Sequence, residues 1–184
     1  MRMRVWAAVL VFGLGAAAAI GQTPSQNQPM PMSGMDMGHG MGKPLVPAGP
    51  LKITFGDKSA EWTPATLAAL PHKTITVFNE HAKVNETYSG VPLIDLLTRL
   101  GVPDKPHGKD LRLYLVAEGS DGYKAVYSVA EVNPDVHDAT VIVADTLDGK
   151  PLADDGPLKL VATGEKRPAR WVRNLVTVRV LTVE

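Results

Sequence analysis

The sequence has no cysteine among its 184 residues. That excludes disulfides, zinc fingers, iron–sulfur clusters, thiolate nucleophiles and every cysteine-ligated metal. It has no surplus of charge either, with 19 lysines and arginines against 19 aspartates and glutamates. A chain so balanced makes no electrostatic case for nucleic acid or an anionic membrane surface. Phosphate-cradling loops, dinucleotide fingerprints, Gly-x-Ser-x-Gly elbows and histidine pairs at helical ligand spacing are all missing. What is present is an ordinary apolar fraction of 45 %, enough for one core, and 17 glycines with 15 prolines, which imply many turns.

The chain divides into three stretches by composition. Residues 1–21 have a basic head, Met1-Arg2-Met3-Arg4, and an apolar run from Val5 to Ile20. They end on small residues around Ala19 and Gly21. This is the pattern of a secretory signal peptide cut before Gln22, so the mature protein is expected in the periplasm or outside the cell, with no membrane segment left. Residues 22–50 lack any period of 2 or 3.6 and read as a disordered tail. Within the tail, Met30, Met32, Met35, Met37, His39 and Met41 fall inside twelve residues. Thioether sulfur is a soft ligand and imidazole a borderline one, so this tract is a copper-site candidate, while composition alone also permits a plain low-complexity linker.

Residues 51–184 read as one mixed domain. Leu51 to Phe55 and Thr74 to Phe78 carry the alternation of strands. Thr63-Pro64 predicts the start of a short helix carrying Leu67 and Leu70, which Pro71 stops. A second helix is expected to open at Ser89-Gly90-Val91-Pro92, carry Leu93, Leu96, Leu97 and Leu100 on one face, and end at Gly101. Ser128 and Glu131 are spaced as a capping box. Thr140 to Ala144 is almost continuously apolar and reads as a central strand. Leu111 to Val116, Leu158 to Ala162 and Leu175 to Val183 supply further strands. Short strands outnumber helices, so the expected class is α+β, a β-rich mixed sandwich with short interspersed helices.

Two polar segments stand out. Asn79 to Gly90 reads as a long polar loop leading to a helix N-terminus, where free N–H groups favour anions, with His81 and Tyr88 as candidate contacts. Gly164 to Asn174 packs Lys166, Arg167, Arg170 and Arg173 around Trp171. Guanidinium forks bind phosphate or carboxylate and stack on aromatic rings. The alternative is a cationic turn neutralised by Asp154, Asp155 or Glu165.

Leu67-Ala68-Ala69-Leu70-Pro71, Tyr88-Ser89-Gly90-Val91-Pro92-Leu93-Ile94-Asp95-Leu96-Leu97, Asp121-Gly122-Tyr123, Asp148-Gly149-Lys150-Pro151-Leu152, Gly156-Pro157-Leu158-Lys159-Leu160-Val161 and Arg170-Trp171-Val172 follow one another in order. Together they resemble the molybdopterin-binding domain of the sulfite-oxidase-type oxidoreductases. The resemblance implies a mixed fold of several sheets, a molybdenum–pterin cofactor and a redox partner. It also implies a molybdenum-ligating cysteine after the second strand, where this chain has Asn79. By the same resemblance, Tyr88 and Trp171 line what remains of the cofactor pocket. Asn79, His81, Tyr88, Arg167, Arg170, Trp171 and Arg173 are therefore the candidate binding residues. Three readings stay open at this stage: a non-catalytic domain binding a small anion or a partner, an oxidoreductase that retains the cofactor, and a copper-binding protein using its tail.

Overall fold

The computed structural model describes residues 49–152 and 154–184. The expected signal peptide and all six candidate copper ligands lie outside them. The domain is built from two five-stranded sheets. The strands are β1 (Leu51–Phe55), β2 (Lys58–Trp62), β3 (Lys73–Asn79), β4 (Val84–Pro92), β5 (Leu113–Gly119), β6 (Lys124–Ser128), β7 (Val141–Leu147), β8 (Lys150–Pro151), β9 (Lys159–Ala162) and β10 (Leu175–Thr182). Three short helices intervene: α1 (Pro64–Ala68), α2 (Leu93–Arg99) and α3 (Val129–Val132). Short 3-10 turns span Gly108–Arg112 and Pro168–Arg170. The β-rich α+β class expected from the sequence is the architecture observed.

The first sheet runs in the order β2-β1-β10-β5-β6. Its first and last strands meet, because β1 pairs in parallel with β10. The second sheet runs β3-β4-β7-β8, with β9 also on β7. Strand β7 is thus central, flanked by β4 on one side and by β8 and β9 on the other. This accounts for its continuous apolar run. Val141 and Val143 face the main core, while Ile142 and Ala144 face a second, smaller cluster. Gly90 lets β4 approach β7 at a register shift, since a Cβ there would collide with the Val143 carbonyl.

Local chemistry accounts for the starts of α1 and α3. Thr63 Oγ1 accepts the Thr66 N–H, and Pro64 sits where no N–H is needed. Ser128 and Glu131 close their capping box reciprocally. The α2 leucines Leu93, Leu96 and Leu97 are fully buried. Each such side chain contributes roughly 2 kcal/mol of apolar burial.

Two expectations need correction, and one strand was not expected. The segment from Asn79 to Gly90 is not a long loop: it is the tip of a hairpin, with β3 running to Asn79 and β4 starting at Val84. Its polar residues alternate along a strand. Helix α2 begins at Leu93, and Ser89 to Pro92 belong to β4, so Tyr88 faces the second cluster from a strand and lies at no helix N-terminus. Strand β2, Lys58-Ser59-Ala60-Glu61-Trp62, carries too little apolar alternation to be read in advance. It exists because Gly56, at φ +56°, turns the chain back onto β1.

Candidate functional site

A cavity of about 870 Å³ opens on the second sheet. Its walls are the β3–β4 hairpin tip, the β7–β8 turn, the segment before β9 and the loop before β10. Asn79, His81, Tyr88, Arg167 and Trp171 all line it, so the fold brings together five of the seven candidate residues. Arg173 lines a smaller hollow of about 460 Å³ that shares Lys159 and Trp171 with the cavity. Arg170 lines neither.

The floor is a hydrogen-bonded chain of polar groups. Asn79 Nδ2 donates to Glu86 Oε1 at 2.6 Å, and the Tyr88 hydroxyl donates to Glu86 Oε2 at 2.9 Å. Lys159 Nζ donates to the Tyr88 hydroxyl at 3.1 Å and to Asp155 Oδ2 at 2.6 Å. Burial, together with the Glu86 carboxylate, pushes the Tyr88 phenol well above its ordinary range, so it stays protonated. The Lys159 ammonium lies 4.9 Å from the Tyr88 ring centroid and 5.2 Å from that of Trp171, and the two rings meet edge to face. These contacts help hold a charge whose side chain is only 9 % exposed.

Lys159 is the site residue that sequence reading missed. The signal was present: one lysine interrupts the apolar run Leu158-Lys159-Leu160-Val161. Gly156, at φ +78°, turns the chain so that Asp155 reaches it.

Both polar atoms of the Asn79 side chain hold hydrogen bonds where it stands. While its amide nitrogen holds Glu86, its Oδ1 accepts the N–H groups of His81 and Ala82 and shapes the hairpin turn. Arg170 is engaged as well, and the expectation that it holds a ligand fails on geometry. Its Nε and Nη2 bind Glu165 Oε1 at 2.8 and 2.5 Å, and its Nη1 binds Glu131 Oε1 at 3.0 Å. Its guanidinium stacks 4.5 Å over Tyr127, whose hydroxyl donates to the Arg170 carbonyl. The hydrogen bonds it donates to Glu165 raise the guanidinium pKa further. Burial pushes the Glu131 carboxyl up, but the hydrogen bonds from Ser128 and Arg170 outweigh it and hold it below its usual value. Arg170 thus clamps the loop that carries Lys166, Arg167 and Trp171. The neutralised-turn alternative describes it, with Glu165 as a partner.

Six carboxylates line the cavity: Glu80, Glu86, Asp148, Asp154, Asp155 and Glu165. Four cations do: Lys150, Lys159, Lys166 and Arg167. Of these cations, only Lys159 has an ion pair among the described residues. The described residues contain no cluster of three or more histidines and carboxylates able to hold a metal ion.

In the crystal structure of the sulfane dehydrogenase SoxCD from Paracoccus pantotrophus, one chain matches this fold with a TM-score of 0.55 and 24 % identity, over 71 % of this chain and 37 % of that one. Among curated proteins, the DNA primase small subunit PriS of Thermoplasma volcanium is 33 % identical over 82 residues, which is 45 % of this chain and 23 % of the primase. This chain therefore spans well under half of either protein. The model of the oxidoreductase molybdopterin binding domain matches residues 51–184, every strand and helix described above. The chain belongs to that family.

Proposed function

We propose that this is an exported, non-catalytic member of its family that holds a small ligand with an anionic group in the 870 Å³ cavity. The observation that carries this is Asn79. It stands where the resemblance puts the metal's cysteine, and its amide oxygen and nitrogen are both spent on the hairpin and Glu86. A neutral amide does not supply the soft, anionic donation of a thiolate. The groups around it are carboxylates, a protonated phenol and an ion-paired ammonium, and this donor set does not fit a molybdenum–thiolate centre. Lys150, Lys166 and Arg167 are the lining cations left to receive an anion, in place of Arg170. Export rests on the basic head and apolar run of residues 1–21.

Elemental analysis of the protein purified from its native compartment without chelators tests this reading. Stoichiometric molybdenum overturns it. Absence of molybdenum, with saturable binding of a small carboxylate that weakens when Lys166 and Arg167 are both changed to Gln, supports it. A second reading rests on the spacing of Met30, Met32, Met35, Met37, His39 and Met41: copper capture by the tail. It expects copper in the same sample and its loss when residues 22–50 are deleted. Copper that survives the deletion overturns it.

A further inference from the structure

We propose that Lys159 is the inner subsite of this cavity and receives an uncharged carbonyl oxygen. The ligand class is then an organic acid that also carries a neutral carbonyl group. This rests on reading the cavity as a ligand site and names what that site selects.

An ammonium has three N–H donors. Among the described residues two are used, one on Tyr88 and one on Asp155. The third belongs to a nearly buried group that lines both the large cavity and the adjoining hollow and otherwise faces the Tyr88 and Trp171 rings. An oxygen acceptor presented from the cavity completes the set with a hydrogen bond to a charged donor, which is worth more than a ring contact.

The charges around Lys159 decide which kind of oxygen fits. Asp155 already neutralises it at 2.6 Å, and the Glu86 carboxylate lies one hydrogen bond further on, behind Tyr88. A carboxylate or phosphate brought to this point would stand among like charges in a poorly solvated place. A carbonyl oxygen accepts the same N–H without that repulsion. The ligand's own negative charge is better placed toward Lys166 and Arg167, which have no ion pair among the described residues. Val77, Leu152 and Pro168 line the cavity as well and suit a short apolar body.

Chemical-shift titration with two acids of equal chain length tests the assignment. Levulinate carries a ketone that pentanoate lacks. Levulinate is expected to bind about tenfold tighter, the worth of one hydrogen bond to a charged donor. In Lys159→Met that preference disappears, and Lys159→Arg restores part of it. The wild-type comparison decides by itself if the Met variant does not fold. Equal affinities in the wild type overturn the inner subsite and leave the ligand-site reading standing. Binding of inorganic phosphate with no binding of either acid overturns the carbonyl class but keeps an anion site. No binding of any of the three overturns both.

Discussion

The two sheets bury their residues differently. In the first, β5 alternates buried and half-buried positions along all seven residues, so one face meets the main core. The second sheet is covered on both faces, but unequally. Its inner face joins the main core through Val91, Val141, Val143, Leu160 and Ala162. Its outer face carries a smaller cluster, Ile75, Tyr88, Ile142, Ala144 and Val161, with the partly buried Val77, Leu147, Leu152 and Trp171 packed against them. Where this thin layer stops, Glu86, Lys159 and Asp155 line a cavity. An apolar layer too small to close over a sheet leaves room for polar groups. Those groups persist only because each is hydrogen-bonded or ion-paired.

Trp171 joins the two regions, since it packs against both clusters and its indole donates to the Ala162 carbonyl at 3.0 Å. Trp171→Ala is expected to destabilise the domain by about 3 kcal/mol, read as a lower urea midpoint. An unchanged midpoint would mean that the second face is stable without it and that Trp171 serves the cavity alone.

Arg170→Ala comes next. It removes charge-assisted hydrogen bonds to Glu131 and Glu165, but the arginine side chain is 39 % exposed and solvent screens it. About 1.5 kcal/mol is the expected loss. Because the loop carries Lys166 and Arg167, carboxylate binding should weaken as well, although Arg170 lines no part of the cavity. Lost stability with intact affinity would separate the clamp from the site.

The smallest effect concerns His72, which ties the start of the second sheet to its central strand. Its Nε2 faces Asp145 at 2.9 Å and its Nδ1 faces the Leu70 carbonyl at 2.7 Å. The hydrogen bond to Asp145 raises its pKa above 6.5. A raised folded-state pKa contributes stability that is fully present below the unfolded value of 6.5 and is lost as pH rises through the folded value. The stability difference between wild type and His72→Gln should therefore be largest in mildly acidic buffer and shrink toward alkaline pH. A difference that is flat with pH would show that the imidazole charge plays no part.

The legibility of the sequence follows the same division. Strands β1, β5, β7 and β10 touch the main core and carry an apolar pattern readable in isolation. The β3–β4 hairpin lies at a sheet edge beside the cavity. From Asn79 onward its alternation is polar on polar, so it looks like a loop. The chain class, the Ser128–Glu131 capping box, the start of α1 at Thr63-Pro64 and the cationic cluster around Trp171 could all be seen in order along the sequence.

Local sequence determined these things because propensity, capping and periodicity act over a few residues. It also determined, by the lack of any cysteine, which metal chemistry the chain cannot perform with its own thiolates. Which charges meet was decided only by the tertiary structure. Lys159 reaches Tyr88, 71 positions away, because β4 and β9 both pair with β7. Arg170 is spent on Glu131, 39 positions away. Charges act through space, and only the folded chain sets which of them stand a few ångströms apart.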